Sequence, residues 1–299
     1  FYPDEKRVQN YILGVMRRTI ESYGYEEYDA SLLEPTELYT AKTSEEIIRD
    51  QTYTFTDRGG RSVTLRPEMT PTVARLVAGR KRELGYPLRW YSIPNCFRYE
   101  RPQKGRLREF WQFNADMFGV EGVEADTEMV ESASTLLKAY GASEDMFEIR
   151  IANRGLLETA FDAVGLNDAQ KLAYRMLLDK KPKMEESEFE TQAKAITNTD
   201  PLSLILARDP SLAEAQAELD QVLAALKERG VGNARFDPSI VRGFDYYTGI
   251  VFEIYDTSGE NNRSLFGGGR YDALVGEYGS EDVPALGYAV SDVIIQDFL

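Results

Sequence analysis

The stretch FRYERPQKGRLREFWQFNADMFG, residues 97–119, decides the fold, because it predicts two strands joined by a basic loop. Side chains alternate between the two faces of a strand. The alternation gives the hairpin one polar face, formed by Arg98, Glu100, Gln112, Asn114 and Asp116. Polar groups on a partly buried face need partners, so this row indicates a ligand site. The alternative is a solvated outer face, which antiparallel sheets commonly have.

The loop of this hairpin, residues 101–108, carries four of the five cations of the stretch. It also contains Pro102 and Gly105, and it is too long for a tight turn and too polar for the core. Loops of this composition suit contact with phosphate groups. A solvated run of charge is the alternative.

The composition limits the chemistry that this protein can perform. The chain has 299 residues, 42% of them hydrophobic, and a formal net charge of -15, which predicts a soluble globular protein with a sizeable core. One cysteine and no histidine exclude an intrachain disulfide framework, the usual zinc sites and any triad with a histidine base. Catalytic groups are therefore expected among carboxylates, Arg, Lys, Tyr and hydroxyls, and no metal-ligand set is predicted.

The charge balance and the apolar runs bear on partners and location. A net negative charge argues against a general nucleic-acid coat protein, although it leaves room for a local basic site. No apolar run approaches the ~20 residues that span a bilayer, and the N-terminal FYPDEKRVQN is too charged for a signal peptide. We therefore expect a cytoplasmic protein with no membrane partner.

The periodicities predict an α+β fold with one sheet interrupted by a helical insertion. Helices are expected over 4–23 and 127–140, and a hairpin turns at residues 57–60. From 165 to 232 the chain is rich in Ala, Leu, Glu, Lys and Gln in helical periods, and strands return afterwards. We expect a core in two parts, 1–164 and 233–299, with a helical insertion domain at 165–232.

Two further motifs suggest what the polar face binds. VRGFDYYTG, residues 241–249, places Arg242 close to two adjacent tyrosines, and LRPEMT, residues 65–70, places Glu68 after a proline. A small zwitterion needs an anion for its ammonium group, a cation for its carboxylate and hydroxyls for its polar edge. Glu68, Asp116, Arg98 and the tyrosines could supply all three.

Taken together, these motifs resemble those of histidyl-tRNA synthetase, a class II aminoacyl-tRNA synthetase, over essentially the whole chain. FRYERPQKGRLREFWQ resembles class II motif 2 in its histidyl form, and VRGFDYYTG resembles the histidine-binding signature of this synthetase and its close paralogues. YTFTDRGGRSVTLRPEMTPTVAR and GGGRYDALV match in sequence and order as well. The resemblance implies the class II antiparallel sheet flanked by helices, with a helical insertion.

The resemblance also implies the reaction and the partners. Histidine would attack the α-phosphate of ATP, supplied with Mg²⁺, to give histidyl-adenylate, and the terminal ribose of tRNA(His) would then take the histidyl group. A homodimer is expected. Because no protein nucleophile is involved, positioning and preorganised charge would drive the displacement.

Individual roles follow from the resemblance by position. Arg98 would hold the α-phosphate and the histidine carboxylate, and Arg242 would neutralise the α-phosphate in the transition state; these are the two expected catalytic residues. Residues expected at ATP are Arg98, Glu100, Arg106, Phe110 and Arg242. Residues expected at histidine are Glu68, Thr70, Arg98, Gln112, Asp116, Arg242, Tyr246 and Tyr247. Gln103 and Lys104 are expected at the tRNA acceptor end.

The sequence departs from the family pattern at three positions. Asp116 stands where the family has glutamate, Ser31 replaces the motif 1 proline, and Ile294 replaces the motif 3 arginine that holds the γ-phosphate. Arg263 or Arg270 are candidates to replace that cation. The chain also ends at Leu299, before the anticodon-binding domain that the resemblance would place there. This domain is absent from this chain, either because the sequence is a fragment of a longer protein or because the protein lacks the domain.

Two of these departures, the Ile294 that replaces the motif 3 arginine and the missing anticodon-binding domain, support an alternative function. A regulatory subunit of ATP phosphoribosyltransferase resembles the synthetase core, lacks the anticodon-binding domain and does not charge tRNA. Against this alternative, Arg98, Glu100, the basic loop and the histidine signature are all intact. The sequence therefore predicts a histidine–tRNA ligase first and the regulatory subunit second.

Overall fold

The computed structural model describes residues 1–40, 51–100, 105–181, 184–240, 246–259 and 263–299. Its strands are β1 Glu26–Glu27, β2 Leu33–Pro35, β3 Tyr53–Thr56, β4 Ser62–Leu65, β5 Leu88–Ser92, β6 Asn95–Phe97, β7 Glu109–Phe118, β8 Phe147–Asn153, β9 Ala234–Phe236, β10 Ile250–Asp256, β11 Ser264–Arg270 and β12 Ala285–Ser291. Its α-helices are α1 Pro3–Glu21, α2 Glu37–Thr40, α3 Thr70–Arg80, α4 Val123–Ala139, α5 Arg154–Ala163, α6 Asp168–Lys180, α7 Glu186–Ile196, α8 Pro201–Leu206, α9 Ala213–Glu228 and α10 Asp292–Phe298.

The central sheet has the strand order β1-β5-β7-β12-β11-β10-β8-β9, and β6 pairs with the first part of β7. The strands are antiparallel through the middle of the sheet, whereas the outer pairs β1–β5 and β8–β9 are parallel. A separate small sheet has the order β2-β4-β3. The predicted α+β plan with one mixed sheet flanked by helices is confirmed.

The two faces of β7 have the division that its alternation predicts. Phe113, Ala115 and Met117 belong to the main hydrophobic core, together with Ile12 and Met16 of α1. All five side chains are at most 1% exposed. Burial of apolar side chains at this density is the main stabilising contribution to the sheet. The opposite face of β7 is thereby left to build a pocket.

The local predictions around this sheet are also confirmed. Helix α1 places its apolar residues on one buried face and is followed by Gly24, whose φ of 79° suits a helix end. The hairpin β3–β4 turns at residues 57–60, where the Asp57 carboxylate accepts hydrogen bonds from the backbone N–H groups of Gly59 and Arg61 at 2.8 and 2.9 Å.

The described part of the segment between β8 and β9 contains helices α5 through α9, a short 3-10 helix at Pro210–Leu212 and the loops that join them, with no strand. Buried side chains of these helices, including Tyr174, Phe189 and Val222, are continuous with the main core. The boundaries of the expected insertion domain, 165 and 232, stay a prediction. Among the described helices, none is long and apolar enough to cross a membrane.

Candidate active site

One pocket lies on the polar face of β7, between the β6–β7 hairpin and strands β11 and β12. Its lining includes nine of the predicted site residues, namely Glu68, Thr70, Arg98, Glu100, Arg106, Phe110, Gln112, Tyr246 and Tyr247. Gln112 and Asn114 line it from β7 and are 8% and 2% exposed. The polar row is therefore the wall of a buried pocket and not a solvated outer face, which decides between the two alternatives left by the sequence.

Three predicted residues, Arg242, Gln103 and Lys104, lie outside the described residues. Their proposed contacts with the α-phosphate and with the tRNA acceptor end stay predictions.

Asp116 lies beneath the pocket and is not among its described lining residues. It is 3% exposed, and its Oδ1 accepts a hydrogen bond from the hydroxyl of Tyr271, which does line the pocket. Its Oδ2 has no hydrogen-bond partner among the described residues. Burial raises the pKa of Asp116 to about 7, and the hydrogen bond from Tyr271 opposes this rise.

A glycine of β12 makes room for this carboxylate. Gly287 is the register partner of Asp116, and a Cβ at this position would lie 2.5 Å from Asp116 Oδ1 and 3.1 Å from the Tyr271 hydroxyl. The same Cβ would lie 2.6 Å from the Ala115 carbonyl oxygen, and distances this short would force the carboxylate and the strand backbone to shift. A side chain on Gly287 is therefore incompatible with the Asp116–Tyr271 pair.

Tyr271 is a site residue that the sequence analysis did not single out. It belongs to the quoted motif GGGRYDALV, directly after the glycines of β11 and Arg270, so the signal was present. Tyr271 is 1% exposed, and its ring centroid is 5.7 Å from that of Tyr246. Without the structure, a buried tyrosine in such a motif is as readily explained by packing as by ligand contact.

Glu68 and the two adjacent tyrosines form one wall of the pocket. The Tyr246 hydroxyl donates to Glu68 Oε2 at 3.4 Å, and both side chains are buried. The ring centroids of Tyr246 and Tyr247 are 4.9 Å apart. A carboxylate held by a buried hydroxyl at a pocket wall is suited to bind an ammonium group.

Arg98 is held in a fixed position by its neighbours. Its Nε donates to the backbone carbonyl of Pro67 at 2.9 Å, and its guanidinium carbon is 5.4 Å from the centroid of the Phe110 ring. Its Nη1 lies 4.0 Å from Glu100 Oε1. One edge of the guanidinium is thus used by the protein, while the side chain lines the pocket next to an aromatic face.

Arg106 is bound to Glu100 in this structure. Its Nη1 donates to Glu100 Oε2 at 2.7 Å, and the Glu100 side chain is 9% exposed. Arg108 also folds back, since its guanidinium carbon is 4.0 Å from the centroid of the Tyr99 ring. These two cations of the basic loop are therefore partnered within the hairpin.

Helix α10 presents apolar side chains to the pocket at the expected motif 3 position. Val293 and Ile294 line the pocket, and Leu107 adds to this apolar wall. Arg270 is engaged elsewhere, because it pairs with Asp126 at 3.0 Å and with Asp272 at 3.1 Å and is not among the described lining residues. Arg263, the other candidate, immediately precedes the lining residue Ser264. Within the described ranges, no group of three or more Asp, Glu, Cys or His side chains could hold a metal ion.

Comparisons with known proteins agree on one family. A family model described as histidyl-tRNA synthetase matches residues 1–292. A histidine–tRNA ligase from Leptospira biflexa is 45% identical over 317 residues, which cover 100% of this chain and 72% of the relative. A histidine–tRNA ligase from Opitutus terrae is 40% identical, covering 99% of this chain and 72% of the relative.

Solved structures share the fold. The histidyl-tRNA synthetase from Nostoc sp. has a TM-score of 0.82 at 23% identity, covering 99% of this chain and 72% of that chain. A Bacillus halodurans protein described as an ATP phosphoribosyltransferase regulatory subunit/histidyl-tRNA synthetase has a TM-score of 0.80 at 24% identity, covering 99% and 80%. At these identities the likeness concerns the fold, which is that of class II synthetases.

Proposed function

This chain belongs to the histidyl-tRNA synthetase family, and we propose that it acts as a histidine–tRNA ligase, forming histidyl-adenylate from histidine and ATP and passing the histidyl group to the 3′ end of tRNA(His). The observation that carries this proposal is that Arg98, Glu100 and Phe110 line the same pocket as Glu68 and Gln112. The first three suit a nucleotide, and the last two suit an amino-acid ammonium group.

The amino-acid end of the pocket would hold histidine by complementary charge. Glu68 would bind the ammonium group with help from Thr70 and Gln112, and Arg98 would bind the carboxylate. The Tyr271 hydroxyl and the Asp116 carboxylate beneath it would bind an imidazole N–H, with Tyr246 and Tyr247 closing the wall. Because Asp116 lies beneath Tyr271, an imidazole N–H that donates a hydrogen bond to the Tyr271 hydroxyl oxygen would strengthen the hydrogen bond from that hydroxyl to Asp116.

The nucleotide end would use the hairpin. Phe110 would stack on the adenine, Glu100 would accept from its amino group, and Arg98 would contact the α-phosphate. Arg106 would move from Glu100 to the phosphates when ATP binds, since Glu100 is then needed by the base. Mg²⁺ would arrive as the counter-ion of the ATP phosphates, as part of the substrate.

The reaction would be an in-line displacement without a protein nucleophile. A carboxylate oxygen of histidine attacks the α-phosphorus, the bond to the β-phosphate oxygen breaks, and pyrophosphate leaves. Arg98, together with Arg242 from outside the described residues, would neutralise the charge on the α-phosphate. In the second step a terminal ribose hydroxyl of the tRNA attacks the acyl carbon and AMP leaves, with Gln103 and Lys104 contacting the acceptor end.

We also propose that the protein is a homodimer in the cytoplasm. Leu33 and Phe55, on the small sheet, are 46% and 47% exposed. Apolar side chains exposed on one sheet favour an interface with a second copy.

The alternative function, a regulatory subunit of ATP phosphoribosyltransferase, is favoured by one observation. Helix α10 offers Val293 and Ile294 to the pocket where a synthetase is expected to offer a cation. A protein that senses histidine without activating it has no need of that cation.

Histidine-dependent exchange of pyrophosphate into ATP separates the two functions. We expect exchange in the wild type and a loss on the order of 100-fold or more in Arg98→Ala and in Arg242→Ala, because each removes charge from the transition state. Arg235→Ala is the matched control, since Arg235 pairs with Glu148 and is not among the described lining residues. Histidine binding without exchange in the wild type would refute the ligase and favour the regulatory subunit.

A further inference from the structure

Three parts of the chain meet at one buried carboxylate, Asp292, the first residue of α10. Asp292 is 4% exposed. Its Oδ1 accepts hydrogen bonds from the backbone N–H groups of Trp111 and Val293, both at 3.0 Å, and its Oδ2 accepts from Gln9 Nε2 at 2.7 Å. An ionised carboxylate has only acceptors, so it can satisfy all three donors at once.

Each of these donors belongs to an element that builds the pocket or supports it. Trp111 lies between Phe110 and Gln112, which both line the pocket, and Val293 lines it directly. Gln9 belongs to α1, is 2% exposed, and is itself oriented by Lys6, whose Nζ donates to Gln9 Oε1 at 2.6 Å. The carboxylate therefore connects α1, β7 and α10.

We propose that Asp292 is a positioning residue, which fixes the distance between the pocket wall on β7 and the apolar wall of α10. The β7–β12 ladder ends at the pair Ser291–Gln112, and beyond it these hydrogen bonds hold Val293 and Ile294 at a fixed distance from Phe110 and Gln112. The inference rests on the proposed function, because it assigns to Phe110 the stacking of the adenine.

The Asp292 hydrogen bonds affect the geometry of the pocket more than the stability of the fold. Catalysis by positioning is sensitive to displacements of about 1 Å, which can cost on the order of 100-fold in rate. Side chains at the ends of strands and short helices keep such precision only when a second layer of hydrogen bonds holds their backbone. Asp292 supplies that layer on the side of the pocket where the expected cation is missing.

The test exchanges donors and acceptors across the Asp292–Gln9 contact. In Asp292→Asn, Oδ1 still accepts from Trp111 and Val293, but Nδ2 faces Gln9 Nε2, so that two donors oppose each other. Turning the Gln9 amide over would place its NH₂ group against Lys6. In Asp292→Asn with Gln9→Glu, the new Glu carboxylate accepts from Nδ2 and also faces Lys6.

We expect kcat/KM for ATP in pyrophosphate exchange to fall about 10-fold in Asp292→Asn and to return to within about 3-fold of the wild type in the double variant. The dissociation constant for ATP should rise in Asp292→Asn and return towards the wild-type value in the double variant. The control is Asp200→Asn, since Asp200 accepts from the N–H of Leu202 at 3.1 Å in the helical segment and is not among the described lining residues. It should lower the melting temperature and leave both constants unchanged.

Each outcome of this experiment supports or overturns the positioning role of Asp292. Kinetic and binding constants that are unchanged in Asp292→Asn, at a temperature where every variant is folded, would overturn the positioning role even if stability falls. A loss that the double variant does not restore would also overturn it. If the wild type binds ATP but shows no exchange, the ligase proposal fails, and the ATP dissociation constants alone decide the role of Asp292. A wild type that does not bind ATP would overturn both.

Discussion

Replacing the buried carboxylate beneath the pocket, in Asp116→Asn, should make stability less dependent on pH. Asn has the same shape, and its Oδ1 can still accept from Tyr271. The substitution removes the possibility of ionisation and places an NH₂ group at the position of Oδ2. Because Asp116 is 3% exposed and its pKa is raised to about 7, the native protein holds this proton at pH values where the unfolded chain has released it.

The direction in which the free energy of unfolding changes with pH follows from proton linkage. A group whose pKa is higher in the native state stabilises that state below the unfolded pKa of 3.8, and this stabilisation is lost as the pH rises towards about 7. Between about pH 5 and about pH 8, only the roughly two pH units below the native pKa of about 7 contribute, and each contributes about 1.4 kcal/mol. Over this range the free energy of unfolding of the wild type should therefore fall by about 3 kcal/mol more than that of Asp116→Asn.

The assay is urea unfolding of both proteins without ligand, at about pH 5 and about pH 8. The quantity of interest is the change with pH of the difference between variant and wild type, because any constant cost of the substitution cancels from it. Asp220→Asn, which removes one exposed carboxylate of the pair with Arg208, controls for the change in net charge. A difference between Asp116→Asn and wild type that does not change with pH would refute the reasoning from burial.

Two further predictions concern the glycines and the apolar wall. Gly268→Ala should destabilise the protein by about 3 kcal/mol or more in thermal or urea unfolding, because the new Cβ would lie 2.1 Å from the Gly287 carbonyl oxygen. Gly79→Ala, in the exposed part of α3 with no atom within 4 Å, should instead stabilise by about 0.5–1 kcal/mol, and equal effects at the two glycines would contradict the packing argument. Ile294→Arg should lower KM for ATP about 10-fold in pyrophosphate exchange by adding a cation to the phosphate end; an unchanged KM would mean that this wall does not face the phosphates.

Local patterns in the sequence were sufficient to predict much of the sheet and of the pocket. Alternation on β7 separates Gln112 and Asn114 from Phe113 and Ala115, and the structure has this division. Alternation fixes the face but not the depth, which is why Asp116 proved to lie beneath the pocket. The parallel edge pairs were beyond prediction, since β1 has two residues and its pairing depends on contacts distant in sequence.

The sequence also did not predict which charged residues pair with each other. Arg106 was expected at ATP, and in this structure it binds Glu100. Arg270 was a candidate for the missing cation, and it pairs instead with Asp126. A sequence indicates which charges are close along the chain, whereas the choice among several possible partners depends on small differences in distance and solvation.

The parallel pairing of β8 with β9 has a consequence for how this chain can vary. Parallel neighbours need a crossover of at least about a dozen residues, and here the helical segment is that crossover. Lengthening it from about 12 to roughly 80 residues costs only about 2 kcal/mol in loop-closure entropy. Because both of its ends meet neighbouring strands at one edge of the sheet, changes in the length of the exposed connections between its helices should preserve the register of the strands under the pocket, whereas its buried side chains are part of the main core and constrain the helices themselves.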